Sequence, residues 1–514
     1  MKGSLAPLSR HIEAVHNQSL LLVRIGWHYR ITPLSSLYKQ RFASSSSGSS
    51  SDRTNDFSND HILSSSSSRS GSSSSSKGSK GSTIPSQKPA KGPGPLPPDW
   101  DENPDLNISA FSELPSSNFG VNQHMLINNE FKEALRQILW QFRAPIRYAF
   151  AYGSGVFPQS DSKSTTSSAA LHPHPSPAIS TVQQGEGKMI DFIFGVSYTQ
   201  HWHSLNLHQH RDHYSSAGYL RSYLVSRIQD NWGAGVYFNP FVTVNGTLIK
   251  YGVVNLDTLC RDLSIWDTMY LAGRLQKPVK ILRDDPRVRL ANQINLLSAV
   301  RTALLLLPPK FSENELYSAI AGLSYMGDPR MSFGAENQNK VQNLVKYQLP
   351  NFRRLYAPLI ENLPNVSFTD ARCTSPDWID DPSANANLAQ DMDPRKRGNM
   401  VRRLPKSFRS KLYFQYQSKL QIPQIEFNKM LEETNDADPT RVRKQQGGAF
   451  EQRIAGDEQQ ALTEQVSAAL RSTIKWPSYS QSLKGPITAG ISKSSRYLRE
   501  KWQKNREGKS KVAS

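Results

Sequence analysis

Residues 150–159 read "FAYGSGVFPQ", a β-prone aromatic run that stops at Gly153-Ser154-Gly155. Beyond a long polar stretch the strand pattern resumes as "MIDFIFGV" at 189–196, with one acid in it. Successive side chains of a strand face opposite sides, so Met189, Asp191 and Ile193 share one face and Ile190, Phe192 and Phe194 the other. Asp191 is thus a carboxylate in a core-like strand, where an unpaired charge is costly and a cation, a metal or a ring of donors is expected. A glycine turn that ends a strand lets backbone N–H groups approach a phosphate. Two readings follow: a phosphate-binding turn facing a metal-binding aspartate, or an ordinary loop beside an ion-paired acid.

The flanks are regular. "NEFKEALRQILWQF" (129–142) puts Phe131, Leu135, Ile138 and Phe142 on one helical face, and "IRYAFAY" then alternates like a strand. In "GVYFNPFVTVNGTLIKYGVV" (235–254), Asn245-Gly246 separates two β-rich runs, which predicts a tight type I′ hairpin carrying Lys250. After Pro286 the pattern becomes helical. "RLANQINLLSAVRTALLLL" is long and apolar, and "SENELYSAIAGLS" opens with a Ser312/Glu315 capping box and closes at Gly322. The expected class is α+β: a first unit over 110–285 broken by a polar insertion at 156–188, a mainly helical unit over 286–365, and a helical and loop region over 366–480.

The 514 residues, 37% hydrophobic, suffice for two ordinary domains plus unstructured segments. Lys and Arg outnumber Asp and Glu by 62 to 43, a net +19 that favours anionic partners: nucleotides, nucleic acid or acidic lipid surfaces. Two cysteines, Cys260 and Cys373, provide neither a disulfide framework nor a zinc quartet and fit a reducing compartment. Residues 1–45 hold Lys2, Arg10, Arg24, Arg30, Lys39 and Arg41 but one acid, Glu13, the make-up of a mitochondrial presequence. Their most apolar run, "LLLVRIGW", is interrupted by Arg24 and is far shorter than the ~20 residues of a membrane-spanning helix. Residues 46–105, rich in Ser, Gly and Pro, form a linker too polar to offset its ordering entropy.

The other end, 483–514, has nine basic residues (Lys484, Lys493, Arg496, Arg499, Lys501, Lys504, Arg506, Lys509, Lys511) against Glu500 and Glu507. Ile487, Ile491, Leu498 and Trp502 fall on one face of a helix drawn through it, with Lys493, Arg496, Arg499 and Lys501 around them. A basic amphipathic helix of this kind lies in the interface of an anionic membrane.

A helix, the Gly-Ser-Gly turn, an acidic strand and a hairpin together resemble the nucleotidyltransferase superfamily. Within it, "FGVNQHM" (119–125), "FAYGSGVF", "MIDFIFGV", "HWHSLNL" (201–207), "NWGAGVYFN" (231–239), "IKYGVV", "YLAGRLQKPVKI" (270–281) and "AGLSYMGDPRM" (321–331) resemble the mitochondrial phosphatidate cytidylyltransferases. These are also called mitochondrial CDP-diacylglycerol synthases. The resemblance covers most of 115–365 and resumes at "SLKGPITAGISKS" near the C-terminus. It implies a nucleotidyltransferase domain, a winged-helix-like domain and a membrane-seeking tail. The implied reaction joins CTP and phosphatidic acid into CDP-diacylglycerol and pyrophosphate with Mg²⁺, for cardiolipin synthesis at the matrix face of the inner membrane. Gly153, Ser154 and Gly155, with Tyr152 beside them, would hold CTP, and Asp191 would bind metal. Lys250, Arg274 and Lys277 lie in matching blocks and are the candidate cations for the phosphates, Lys250 as a catalytic one. Ile193 stands where the superfamily pattern has its second acid, and "TLIKYGVV" has no third.

Five histidines (His201, His203, His208, His210, His213) crowd 201–213 without the spacing of a zinc motif. Because "HWHSLNL" is one of the matching blocks, His201 and His203 are candidate contacts to the substrate phosphate. Two other functions are compatible with the chain: an RNA nucleotidyltransferase, or a non-enzymatic maintenance factor of the import machinery. No RNA-binding signature is present, and no nucleic-acid partner is expected.

Overall fold

The structure, a computed structural model, describes residues 100–101, 106–159, 167–185, 187–215, 218–219, 221–332, 339–433 and 447–490, together with Lys493, Ser495 and Arg499. The expected presequence, nearly all of the expected linker, and Ile491, Arg496, Leu498, Lys501 and Trp502 lie outside these residues.

Five strands make the main sheet: β1 (Tyr148–Tyr152), β2 (Ile190–Val196), β3 (Val236–Val244), β4 (Thr247–Asn255) and β5 (Lys280–Arg283). Their order is β3-β4-β2-β1-β5, with β2 and β4 parallel and the remaining pairs antiparallel. Parallel neighbours need a long crossover. Here it comprises α2 (Thr199–Gln209), α3 (Arg221–Asn231) and β3 itself; α1 (Asn129–Trp140) precedes β1. The Asn128 side chain caps α1 by accepting from the Glu130 and Phe131 amides, and Phe131, Leu135, Ile138 and Phe142 are buried as the periodicity predicts. The β3–β4 hairpin turns on Asn245 (φ 46°) and Gly246 (φ 70°), the two positive φ values a type I′ turn requires.

The stretch expected as a polar insertion is partly core. Residues 167–185 form two short helices, Ser168–Leu171 and Pro177–Val182, that bury Ile179 together with His172 and Gln183. His172 and Gln183 are polar there because they bond each other and the backbone, not water.

The sheet and the later helices share one hydrophobic core. At its centre is α5 (Pro286–Leu306), which starts with Pro at its first position and Asp285 as its cap. It packs against α4 (Leu256–Ile265) and α6 (Glu313–Leu323), so nearly every residue along it is buried. The Ser312/Glu315 capping box is present, and α6 runs one residue beyond Gly322. A second sheet of β6 (Lys310–Ser312), β7 (Val366–Phe368) and β8 (Asn387–Gln390), ordered β6-β8-β7, flanks α6 and α7 (Lys340–Ile360). Tyr356 of α7 donates its hydroxyl to the Gln276 carbonyl (2.8 Å), joining these helices to the main sheet's loops.

The last long helix, α9 (Gln459–Ala489), packs on α5, on α8 (Lys406–Leu420) and on the edge strand β3. Gln481 accepts from the Ala234 amide (3.3 Å) and donates to the Val236 carbonyl (3.1 Å), which closes part of an edge that otherwise offers unpaired groups. Lys484 is fully buried and donates to the Gln229 (3.1 Å) and Trp232 (2.9 Å) carbonyls, with burial pushing its pKa down to about 7. This corrects the reading of 483–514 as one basic amphipathic membrane-binding tail where Lys484 is concerned: one face of its first turns belongs to the core. The helix also stops at Gly490 (φ 84°), so Ile487 shares no unbroken helix with residues beyond 490.

A buried ion pair supports the second sheet. Arg353 and Glu313 are both fully buried, bonded at 2.6 and 2.9 Å, and Arg353 also donates to the carbonyls of Trp378, Asp381 and Ala384. Removing one partner of such a pair leaves an uncompensated buried charge. Arg353→Ala is expected to cost about 3–5 kcal/mol in urea denaturation, and a loss under ~1 kcal/mol would show that the pair does not hold this sheet.

Candidate functional site

The strand register places Tyr152 opposite Asp191 and Asp191 opposite Lys250. Residues paired across neighbouring strands point to the same face, so these three side chains stand in one row. Lys250 Nζ lies 3.2 Å from Asp191 Oδ1, which accounts for a carboxylate in an apolar strand. The same ammonium sits 4.8 Å from the Phe238 ring centroid, a cation–π contact.

At the end of β1 the chain turns over this row. Gly153 takes φ 82°, and its carbonyl accepts from the Val156 (3.1 Å) and Phe157 (2.9 Å) amides. A Cβ at Gly153 would stand 3.5 Å from Asp191 Oδ2, so the turn lies directly beside the carboxylate. At Gly155 a Cβ would come within 2.6 Å of the Met189 carbonyl oxygen; only glycine lets the turn pack against the entry to β2. Ser154 is exposed between them.

Arg274 approaches from the other side. Its Nε donates to the Tyr152 hydroxyl (3.4 Å), and its guanidinium covers the Tyr270 ring at 4.1 Å. Burial, with Asp191 adding to it, raises the Tyr152 pKa, so the phenol stays protonated. The one-turn helix Ala272–Leu275 that carries Arg274 is fixed by buried Asp262, whose carboxylate accepts from the Leu271, Ala272 and Thr268 amides and the Thr268 hydroxyl at 2.8–3.0 Å. Lys277 donates to the Gly273 carbonyl (2.5 Å) and to Ser324 Oγ (2.7 Å). Burial and then the nearby Arg274 and Lys340 push its pKa down to about 7, a surplus of positive charge that an anion would relieve.

The two candidate histidines stand away from the glycine turn. Tyr251 follows Lys250 and so faces the opposite side of the sheet, and it is there that α2 packs, with Asn206 donating to the Tyr251 hydroxyl (3.0 Å). His203 is fully buried on that side, its Nδ1 2.8 Å from the Tyr214 hydroxyl and its Nε2 2.8 Å from Gln229 Oε1. Burial pushes its pKa down to about 4, so it is neutral and has no nitrogen left for a phosphate. His201 is exposed near the start of α2, which follows the end of β2 remote from Asp191 by roughly 16 Å at ~3.3 Å per residue. Neither histidine is brought to the turn.

Metal-ligating side chains converge in threes at one place among the described residues: His210, Asp212 and His213, with ligand atoms within 4.8 Å. The two imidazoles stack, 4.4 Å apart and 2° from parallel, so their in-plane lone pairs run side by side and do not converge on an ion. Asp191 belongs to no such group. Magnesium, however, is commonly held by one or two carboxylates together with substrate phosphates. A single carboxylate with one oxygen on Lys250 and the other beside the glycine turn fits that donor set.

Sequence reasoning missed Asp262, Tyr270 and Phe238, which show themselves only through the fold. It also missed a feature legible in spacing. Trp476, Tyr479, Leu483 and Ile487 recur at intervals of three and four along α9 and are exposed by 71%, 46%, 50% and 44%. Of the residues expected at a membrane, Ile487 belongs to this stripe. Lys493 is half-buried near Asp212, and burial lowers its pKa.

The chain matches the family profile described as "Phosphatidate cytidylyltransferase, mitochondrial" over residues 135–504, a span that includes the turn, Asp191, Lys250, Arg274 and Lys277. Proteins of that name are similar to it. The one from Xenopus laevis is 36% identical over 371 residues, 72% of this chain and 93% of the relative. Those from Saccharomyces cerevisiae (43% over 258 residues) and Homo sapiens (42% over 235 residues) align with 49% and 45% of this chain, and the aligned parts span 61% and 48% of the relatives. The chain belongs to the mitochondrial phosphatidate cytidylyltransferase family.

Proposed function

We propose that the chain transfers CMP from CTP to phosphatidic acid, giving CDP-diacylglycerol and pyrophosphate. The observation that carries this reading is the row Tyr152–Asp191–Lys250 under the Gly153–Gly155 turn, in a chain of this family. The sheet then reads as a nucleotidyltransferase fold. The succession α5-β6-α6-α7-β7-β8, with β8 between β6 and β7, reads as its winged-helix-like companion.

In the proposed reaction a phosphate oxygen of phosphatidate attacks the α-phosphorus of CTP, and the bond to the β-phosphate oxygen breaks as pyrophosphate leaves. A phosphomonoester with a second pKa near 6 is already largely dianionic at neutral pH, so no strong base has to remove a proton. The demand is electrostatic: a dianion must approach a polyanion, which calls for cations fixed in advance where charge develops. The backbone of Gly153–Gly155 offers N–H groups to phosphate. Lys250 and Arg274 supply fixed charge beside it, and Lys277 supplies a charge that regains its full strength when an anion binds. Asp191 would hold Mg²⁺, which when bound neutralises phosphate oxygens and orients them. A site that needs no base can work with Ile193 in place of a second acid.

The lipid substrate sets the location. Among the described residues no helix is long and apolar enough to cross a membrane. We place the chain peripherally, at the matrix face of the inner membrane and upstream of cardiolipin, held by the Trp476–Ile487 stripe. Trp and Tyr suit the boundary between headgroups and acyl chains, and Arg471 and Lys475 are exposed alongside for anionic lipids.

Three outcomes test this reading. Asp191→Asn should retain the fold and lower CDP-diacylglycerol formation from labelled CTP at least ~100-fold, a transition-state loss of about 2.7 kcal/mol; near-normal turnover would remove Asp191 from the site. Lys250→Ala should raise the KM for CTP by ~10-fold or more, since contacts between charged groups and phosphate are the strong ones; an unchanged CTP dependence would refute its role. Replacing Trp476, Leu483 and Ile487 by Ser removes side chains worth about 1.5–3 kcal/mol each when fully buried. The triple variant should leave the pellet in cosedimentation with cardiolipin-containing liposomes yet turn over short-chain, water-soluble phosphatidate within about twofold of the parent chain. Undiminished cosedimentation would put the membrane contact elsewhere.

A further inference from the structure

Two buried side chains of the 167–188 segment connect the three strand ends that carry the site. Strand β2 begins at Ile190 opposite Ile249, so the first residues of β4 extend past it. There the Leu248 amide donates to His172 Nδ1 (2.9 Å) and the His174 amide donates to the Gly246 carbonyl (3.0 Å), giving β4 partners that β2 does not reach. His172 Nε2 lies 3.2 Å from Gln183 Oε1, which also accepts from the Lys188 amide (3.0 Å). Gln183 Nε2 donates to the Lys188 carbonyl (2.8 Å) and to the Gly155 carbonyl (3.2 Å). These roles fix the tautomer: Gln183 Oε1 accepts, so His172 carries its proton on Nε2 and leaves Nδ1 free to accept from Leu248. Burial lowers the His172 pKa and so favours this neutral form. Both side chains are buried, and the network spans the turn after β1, the entry to β2 three residues before Asp191, and the start of β4 two residues before Lys250.

We propose that His172 and Gln183 are positioning residues for the nucleotide site, holding the Gly153–Gly155 turn, Asp191 and Lys250 in the mutual placement that lets them meet one triphosphate. The proposal rests on the reading of that turn as the CTP site. The reason a brace is needed is that the three elements come from β1, β2 and β4, and the ladder and the Asp191–Lys250 pair leave the strand ends themselves to be held, whereas a misplacement of ~1 Å in such a constellation costs about 100-fold in rate. Gln183 joins two of the ends directly. His172 ties that junction to the third.

The test uses the full chain. Gln183→Met keeps the volume and removes every polar contact. It should raise the KM for CTP at least ~10-fold, about 1.4 kcal/mol, while the KM for phosphatidate stays within about twofold and the melting temperature within a few degrees. Amide hydrogen exchange should quicken at 153–157 and 188–190 but not in α5, which a general loss of stability would not produce. His172→Asn keeps an acceptor near the Nδ1 position and loses the reach to Gln183, so it should fall between the parent chain and Gln183→Met. Folded Gln183→Met protein with unchanged turn exchange and a CTP KM within about twofold of the parent overturns the brace. Faster exchange in the turn with unaltered CTP kinetics overturns the proposal through the reading it rests on, because the turn is then braced but binds no nucleotide. Should Gln183→Met fail to fold, His172→Asn decides on the same two measurements, and no change in either overturns the proposal.

Discussion

The contact between Lys250 and Asp191, 3.2 Å across two parallel strands, is the constraint around which the rest is arranged. A carboxylate in the middle of an aromatic strand has to be paired, and a partner on the adjacent parallel strand can reach it only if the register is correct to the residue. A slip by one would turn Tyr251 toward Asp191 and send Lys250 into the aromatic cluster on the other face, where Phe194 and Tyr251 stack at 5.3 Å. Charge pairing on one face and aromatic packing on the other therefore demand the same alignment. The hairpin at Asn245-Gly246 and the long crossover before it deliver β4 to that alignment. On the proposed function the same pair is chemically productive, since the ion pair leaves a carboxylate and an ammonium side by side on the strand face where a triphosphate and its metal would meet them.

Much of this was legible where local physics decides. Asn245-Gly246, the Ser312/Glu315 cap and the Phe131–Leu135–Ile138 face depend on neighbours within one turn of chain, so residue type and spacing suffice. Asp191 and Lys250 were each visible as charges out of place in β-rich runs, but nothing local pairs them. What failed was the placement of groups whose meaning depends on which face a helix packs against. The two histidines of "HWHSLNL" sit in a block shared with the family, yet one is a neutral, doubly bonded core residue behind the sheet. Lys484 was counted as a tail charge although two carbonyls bind it in the interior. Gln183 and His172 were hidden for the converse reason: within a segment read as polar insertion, these two side chains supply the strand ends with partners.

The last helix shows how one element can meet two solvents. Over its last turns the inner face carries Gln481 and Lys484, which bond the backbone at and just before the start of β3, and the Thr488 carbonyl, which accepts from the Tyr237 hydroxyl, while the outer face carries the exposed stripe from Trp476 to Ile487. In these last turns, apolar groups outward and polar groups inward invert the usual amphipathic arrangement, which Leu462, Val466, Leu470 and Ile474 keep earlier in the helix. The inner polar atoms can be buried because they are hydrogen-bonded at the start of β3 and in the turn before it.

That inversion bears on how a lipid phosphate could reach a site built into a sheet. Strand β3 is clamped at its start by Gln481 and hydrogen-bonded to β4 on the other side, so a single strand lies between the helix bearing the stripe and the strand that carries Lys250. A bilayer bound along Trp476–Ile487 would thus be fixed, through α9 and the strands β3 and β4, relative to the row Tyr152–Asp191–Lys250. A tail joined by a flexible tether would raise the local concentration of lipid but leave its headgroup free to wander. A rigid connection sets distance and orientation as well, and orientation is what a reaction between two anions most lacks. On the proposed function, the burial of Lys484 is then more than a correction to the reading of a basic tail: a lysine anchored in the interior on the Gln229 and Trp232 carbonyls ties the helix proposed to meet the membrane to the segment that leads into β3.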